Sequence, residues 1–313
     1  MIAPSRFPPL LKVGVFPDPV EQALRDVFTL VELDELGLAG RPGHDEIAGI
    51  VTRSNYRISR ELIDQLPGLR IISTNGVGYD GIPLDYARRK GVIVTNTPEV
   101  LNEAVAEMAV GLLLALLRHI PRADAFVKEG AWTTMPFPLG TTLAGKKVGI
   151  VGLGRIGKEI VKRLLPFRVE VAYFGRSRQD AEWMYFDDVN RLAAHADILI
   201  LCCPGGPETY GMIDAGVLRS LGPSGFLVNI ARGSVVNESD LYRALADRTV
   251  AGAALDVFNH EPLDASPLRR LDNVVLAPHV GSATRETRMQ MAALAIDNLC
   301  RFFDTGSAVT PVP

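Results

Sequence analysis

Apolar residues fall in short continuous runs separated by amphipathic stretches along nearly the whole chain. Runs at 13–16, 47–52, 69–74 and 92–95 predict strands, with candidate helices at 20–30, 60–66 and 84–90 between them. The runs do not alternate apolar with polar, so both faces of the predicted sheet are covered, as in parallel sheets. A long helical pattern follows from Asn102 to about Lys128, interrupted near Pro121. Beyond the loop TTMPFPLGTTLAGKK the strand-and-helix alternation resumes, with strands expected at 148–151, 169–174, 198–203, 226–230, 251–257 and 274–277. Six such segments suit a doubly wound nucleotide-binding domain. A helix over about 284–303 closes the pattern.

The first block is short, and the last helix follows a complete second block. The expected partition is therefore discontinuous: residues 1–99 and 285–313 form one domain, and 100–284 the other. A ligand is expected in the cleft between two such domains. The greasiest stretch, 108–117, spans only about 15 Å as a helix, half a bilayer core. It reads as a buried helix, and no membrane association is expected. The N-terminus has prolines at 4, 8, 9, 17 and 19 and no apolar core, so it does not read as a signal peptide.

Length agrees with two domains: 313 residues at ~150 residues each. Charge is nearly balanced, 33 Lys and Arg against 36 Asp and Glu, which leaves no basic field for a nucleic-acid backbone. The three cysteines are Cys202, Cys203 and Cys300, without a C-x-x-C pattern, so neither a disulfide framework nor a metal site is expected. A reducing, cytoplasmic location fits that usage.

The sharpest motif is Gly152-Leu153-Gly154-Arg155-Ile156-Gly157, placed between a strand and a helix. That context makes it a dinucleotide-binding turn: glycine for the tight turn, open backbone for a pyrophosphate, and a helix N-terminus facing the anion. An acidic residue is expected about 20 positions later to take the ribose 2′-OH of NAD. The second strand ends instead in Gly175-Arg176-Ser177-Arg178. Two guanidinium forks and a hydroxyl suit a 2′-phosphate, so NADP(H) is the expected cofactor.

Chemistry in an open α/β sheet collects beyond the carboxyl ends of its strands. Those ends carry Pro204 to Thr209, then Ala231-Arg232-Gly233, then Asp256 with Asn259-His260-Glu261-Pro262, then Pro278-His279-Val280-Gly281. An arginine, an acid and a histidine thus emerge on one edge, the set expected of an active site rather than of a bare binding module. His44, His119, His195 and His260 lie outside this set. Trp132, in GAWTTMPF, reads either as a core anchor or as a residue reaching a neighbouring subunit.

With these motifs in order, the chain resembles the D-isomer-specific 2-hydroxyacid dehydrogenases. The matching stretches are GVGYDGI at 76–82, NTPEVLNEAVAE at 96–107, GLGRIG at 152–157, NIARGSVVNESDL at 229–241, ALDVFNHEP at 254–262 and PHVGSAT at 278–284. Within the family it is most similar to NADPH-dependent glyoxylate and hydroxypyruvate reductases, with hydroxyphenylpyruvate and 2-ketogluconate reductases as alternatives. A dinucleotide-sensing corepressor is a more distant one. The resemblance implies a Rossmann domain plus a flavodoxin-like substrate domain, and reduction of a small 2-oxo acid to the D-2-hydroxy acid. It assigns Arg232 to the substrate's carboxylate and oxo group, His279 to general acid, and Glu261 to holding the imidazole and favouring its protonated form. Val77 and Gly78 would cap the substrate carboxylate, and Asp256 would touch the nicotinamide carboxamide. Pro204, Thr209, Ile230 and Gly281 would line the dinucleotide site with the glycine turn. A homodimer is implied as well, with a stripe of Ala104, Met108, Gly111, Leu112 and Ala115 on the long helix as the expected contact.

Overall fold

The computed structural model describes residues 6–33 and 44–313, and the start of the proline-rich N-terminus lies outside them. The chain divides into two compact units, Met1–Leu101 with Ala283–Pro313, and Asn102–Ser282. The junctions differ from the expected 99/100 and 284/285 for local reasons. Asn102 opens the long helix, and Thr284 caps the last helix by accepting a bond from the Thr287 N–H, so the cap travels with its helix.

Unit 1 holds strands β1 (Leu10–Lys12), β2 (Leu30–Glu32), β3 (Gly49–Arg53), β4 (Ile71–Asn75) and β5 (Ile93–Thr95). They form a parallel sheet in the order β2-β1-β3-β4-β5, the flavodoxin-like arrangement. Helices α1 (Asp18–Arg25), α2 (Arg60–Asp64) and α3 (Leu84–Arg89) connect the strands. Leu11, Ile50, Ile72 and Val94 pack with Ile63 and Ala87 on one face, while Leu10, Ile71 and Val51 serve the cores on the other. The first strand is Leu10–Lys12 and not the expected 13–16. Leu10 and Leu11 fill both faces completely, whereas Val15 is 70% exposed in the loop that follows.

Unit 2 opens with α4 (Asn102–Leu117) and α5 (Ile120–Lys128). The break expected near Pro121 falls at His119, which is left-handed, and Pro121 sits in the first turn of α5, where its missing N–H costs nothing. Seven parallel strands follow: β6 (Lys147–Val151), β7 (Glu170–Phe174), β8 (Met184–Phe186), β9 (Ile198–Leu201), β10 (Phe226–Asn229), β11 (Gly252–Leu255) and β12 (Val274–Leu276). Their order, β12-β11-β10-β9-β6-β7-β8, is the doubly wound dinucleotide-binding topology with one strand added at the far edge. The covering helices are α6 (Arg155–Leu164), α7 (Val189–His195), α8 (Ala215–Leu221) and α9 (Glu238–Ala246), and α10 (Arg285–Thr305) returns to unit 1. Strands β9, β10 and β11 are wholly buried, as continuous apolar runs require.

The stripe expected to face outward from α4 is divided. Ala104 and Leu112 are buried within unit 2, where α4 packs on α6 and on β10 to β12, while Gly111 is exposed. An apolar helix with several faces to bury gives part of that stripe to its own core. Among the described residues no single helix is long and apolar enough to cross a membrane, and the α4–α5 pair is bent by 57°.

Candidate active site

In unit 2 the turn from β6 to α6 carries the glycine motif. Gly152 has φ +101°, and a Cβ there would meet the Cys203 backbone at 2.7–2.8 Å, so only glycine fits. A Cβ on Gly157 would press on the Gly152 carbonyl oxygen, which keeps α6 close against the turn. At Gly154 nothing lies within 4 Å of where a Cβ would stand, leaving the backbone open. Helices α7, α8 and α9 are capped by the side chains of Asp188, Asp214 and Asn237, but α6 begins at Gly154 with no side-chain cap. The first turn of α6 thus lacks a side-chain cap, and such a helix N-terminus suits an anion. These residues fit the pyrophosphate of a dinucleotide.

The turn after β7 is pinned. The buried Tyr173 hydroxyl accepts from the Gln179 N–H at 2.8 Å, and Tyr185 donates to the Gly175 carbonyl at 3.2 Å. Arg176, Ser177 and Arg178 are exposed on this held turn, and Arg176 lies 3.7 Å from Glu208. Glu208 belongs to the loop after β9, where Thr209 donates to the Pro204 carbonyl at 2.8 Å and closes the turn. No carboxylate stands at 175–178, and the exposed guanidiniums suit a 2′-phosphate.

Cys202 lies just past the end of β9, which stops at Leu201 and not at 203 as expected. Its thiol donates to the Gly152 carbonyl at 3.1 Å, buttressing the turn from below. Burial raises the pKa of both thiols, that of Cys203 to about 11, so neither is reactive near neutral pH. Ile230, buried at the end of β10, donates its N–H to the Leu201 carbonyl at 3.2 Å.

Three strand ends carry the residues expected to be catalytic. His279 Nδ1 lies 2.6 Å from Glu261 Oε2, and the other oxygen of Glu261 accepts the Phe258 N–H at 3.0 Å. Burial alone would raise the Glu261 pKa. The hydrogen bond and charge of His279, the Phe258 N–H and the charge of Arg232 outweigh it, so the carboxyl sits below its ordinary value. Arg232 follows β10, and its Nη1 donates to the Ala231 carbonyl at 2.8 Å. Next to it, a Cβ on Gly233 would overlap the Phe258 carbonyl, so glycine is what lets the Arg232 strand end lie against the Glu261 loop.

His279 has φ +54°, a left-handed backbone uncommon outside glycine. Asp256 holds it there. The Asp256 carbonyl accepts the His279 N–H at 2.8 Å, and its two carboxylate oxygens accept the Val280 and Gly281 N–H groups at 2.8 Å each. Burial raises the Asp256 pKa, and those two backbone bonds partly offset the rise. The sequence pattern places Asp256 at a strand end but carries no trace of this positioning task.

Unit 1 carries Val77 and Gly78. The Val77 carbonyl accepts from Asn96 Nδ2 at 2.8 Å, and the Gly76 carbonyl accepts from the Thr97 N–H at 2.9 Å, which fixes the loop. Both residues are partly buried, and among the described residues neither backbone N–H makes a hydrogen bond. Two adjacent open N–H groups at a strand end can bind a carboxylate.

The family profile described as the D-isomer specific 2-hydroxyacid dehydrogenase NAD binding domain matches residues 110–281. The chain belongs to that family. This 2-hydroxyacid dehydrogenase is 45% identical over 269 residues to the hydroxyphenylpyruvate reductase of Plectranthus scutellarioides, covering 86% of each chain. It is 46% identical over 267 residues to the 2-ketogluconate reductase of Gluconobacter oxydans, covering 85% of this chain and 86% of the relative. Among solved structures it is similar to an NADPH-dependent glyoxylate/hydroxypyruvate reductase of Sinorhizobium meliloti in complex with NADP and malonate. That similarity has a TM-score of 0.92 and 40% identity, over 97% of this chain and 96% of the other. The dehydrogenase is therefore similar, at 40–46% identity, to enzymes named for four different substrates.

Proposed function

We propose that this dehydrogenase uses NADPH to reduce small 2-oxo acids, glyoxylate and hydroxypyruvate first among them, to D-2-hydroxy acids. The observation that carries the reading is the Glu261–His279 pair at 2.6 Å on the strand edge that also bears Arg232. The reduced nicotinamide, when bound, supplies the hydride. Arg232 holds the substrate carboxylate and oxo group with its planar fork. Glu261 occupies Nδ1 of His279, which leaves Nε2 to deliver a proton to the oxo oxygen as it becomes a hydroxyl. Asp256 keeps the His279 loop in its left-handed form. Val77 and Gly78 are the carboxylate-binding element of unit 1. Gly152, Gly154 and the first turn of α6 hold the pyrophosphate, and Arg176 with Ser177 and Arg178 holds the 2′-phosphate. The free thiols of Cys202, Cys203 and Cys300 support a cytoplasmic setting.

Purified protein with glyoxylate or hydroxypyruvate should consume NADPH, with kcat/KM at least about tenfold above that with NADH, the equivalent of one charge-assisted bond. A panel with 2-ketogluconate and hydroxyphenylpyruvate ranks the alternatives. Absence of NADPH oxidation with every 2-oxo acid would overturn the reading.

A further inference from the structure

The N–H groups of Val77 and Gly78 have their direction set from behind. A trans peptide is planar, so its C=O and the N–H that follows point opposite ways. The Gly76 carbonyl shares a peptide plane with the Val77 N–H and accepts from the Thr97 N–H at 2.9 Å. The Val77 carbonyl shares one with the Gly78 N–H and accepts from Asn96 Nδ2 at 2.8 Å. Two consecutive residues, Asn96 and Thr97, therefore aim both donors.

Those residues follow β5, which is the edge strand of the unit 1 sheet. An edge strand leaves one row of backbone groups without a neighbouring strand. The segment after α10 supplies the neighbour. Thr95 forms an antiparallel bridge with Pro311, and the Val312 N–H donates to the Val94 carbonyl at 2.8 Å. Just before them, Thr310 holds the backbone of Asn96 at both polar groups. Its hydroxyl donates to the Asn96 carbonyl at 2.6 Å, and its carbonyl accepts the Asn96 N–H at 3.4 Å.

Thr310 is held in turn by Asn298 on α10. Asn298 Nδ2 donates to the Thr310 hydroxyl at 2.8 Å and to the Leu294 carbonyl at 3.0 Å. Its Oδ1 accepts the Val309 and Thr310 N–H groups at 3.0 and 2.8 Å. A side-chain amide has two N–H donors and two lone pairs, so the fully buried Asn298 has every position filled. A buried network satisfied in this way is rigid and specifies one arrangement.

We propose that Thr310, held by Asn298, is a positioning residue for substrate binding: through Asn96 it fixes the peptide planes that present the Val77 and Gly78 N–H groups to a carboxylate. The inference rests on the reading of that loop as the carboxylate-binding element of a 2-oxo acid reductase.

Thr310→Val keeps the side-chain shape and removes the hydroxyl. It should raise the KM for glyoxylate about threefold, and Asn96→Ala about tenfold, within the range of a neutral hydrogen bond. Losing binding common to ground and transition states should leave kcat within about twofold. The NADPH Kd should stay at the parent value, since the glycine turn and the 175–178 turn belong to unit 2. Thr310→Ser keeps the hydroxyl and should restore the KM. The double variant should do no worse than Asn96→Ala alone, because both changes act on one loop. Ile63→Val, in the core of unit 1, lowers the melting temperature and should leave the KM alone. An unchanged KM in Thr310→Val, an equal rise in Ile63→Val, or a double variant whose effects multiply would overturn the proposal. A parent protein that reduces no 2-oxo acid removes the reductase reading instead. Hydrogen exchange of the Thr97 N–H then decides the relay. It should quicken in Thr310→Val and recover in Thr310→Ser, and one rate in all three proteins overturns the relay.

Discussion

At the scale of single residues, the chemistry turns on which nitrogen of His279 is free. Glu261 engages Nδ1 at 2.6 Å, so in the proposed mechanism proton delivery falls to Nε2. His279→Asn removes the donor while the glycine turn and the 175–178 turn stay as they are. It should bind NADPH as the parent does and lose about 10²–10⁴-fold in kcat, the usual worth of a general acid. Fluorescence titration beside steady-state kinetics checks both halves, and a near-normal kcat would take His279 out of the mechanism. Glu261 gives a second test through pH. Its pKa is lowered from 4.5 in the folded protein, so the ionised form stabilises the fold at any pH above the unfolded value. That contribution is lost as pH falls through the lowered folded value. The difference in thermal stability between the parent and Glu261→Gln should accordingly be largest near neutrality and shrink below about pH 4.5. A difference constant from pH 7 to pH 3 would show that the carboxylate adds nothing through its charge.

At the scale of elements, most of what mattered was legible because burial and chemistry leave strong marks. The wholly buried strands β9 to β11 read as apolar runs, and the Arg232 and Glu261 strand ends follow from them, while His279 follows the apolar run of the partly buried β12. The edge strands β2 and β8 did not, since Leu30–Glu32 and Met184–Phe186 have three residues each and no buried one. A strand held by one neighbour needs no apolar run. Missing β8 hid Tyr185, and with it the reason why Gly175 to Gln179 is a fixed turn. Glu208 was invisible too, because it meets Arg176 across two loops distant in sequence. That pair leads to a prediction about cofactor choice. Arg176→Ala should weaken NADPH binding by more than about tenfold, one charge-assisted bond to phosphate. Exposed ion pairs contribute little, so Glu208→Gln should tighten NADPH by no more than about fivefold. Neither change should move the NADH Kd, because both act through the 2′-phosphate. An equal shift for NADH and NADPH would show that the turn contacts something common to both cofactors.

At the scale of the whole molecule, the apolar surface of unit 2 argues for a second copy. Ile120, Val127, Trp132, Met135 and Leu139 are 52%, 55%, 70%, 59% and 95% exposed, all on α5 and the segment after it. Trp132 is therefore not a core anchor, which removes one of the two roles its sequence context allowed. Single exposed apolar residues are ordinary, but five large ones within one continuous segment are a density of exposed apolar surface of the kind found at interfaces. The outward part of α4 borders this segment in sequence, with Gly111 exposed and Ala115 partly so. Ala104 and Leu112 belong to the core of unit 2, so the contact surface is better sought on α5 and 130–139 than on the stripe the sequence proposed. Light scattering at micromolar concentration should give twice the chain mass of 33.9 kDa. Replacing Val127 and Leu139 together by Glu places two charges in the apolar patch without touching the Rossmann core, and should yield a folded monomer with unchanged far-ultraviolet circular dichroism. A parent protein that stays monomeric would leave the patch without its expected partner. A dimer that survives both charges would move the interface elsewhere on the surface.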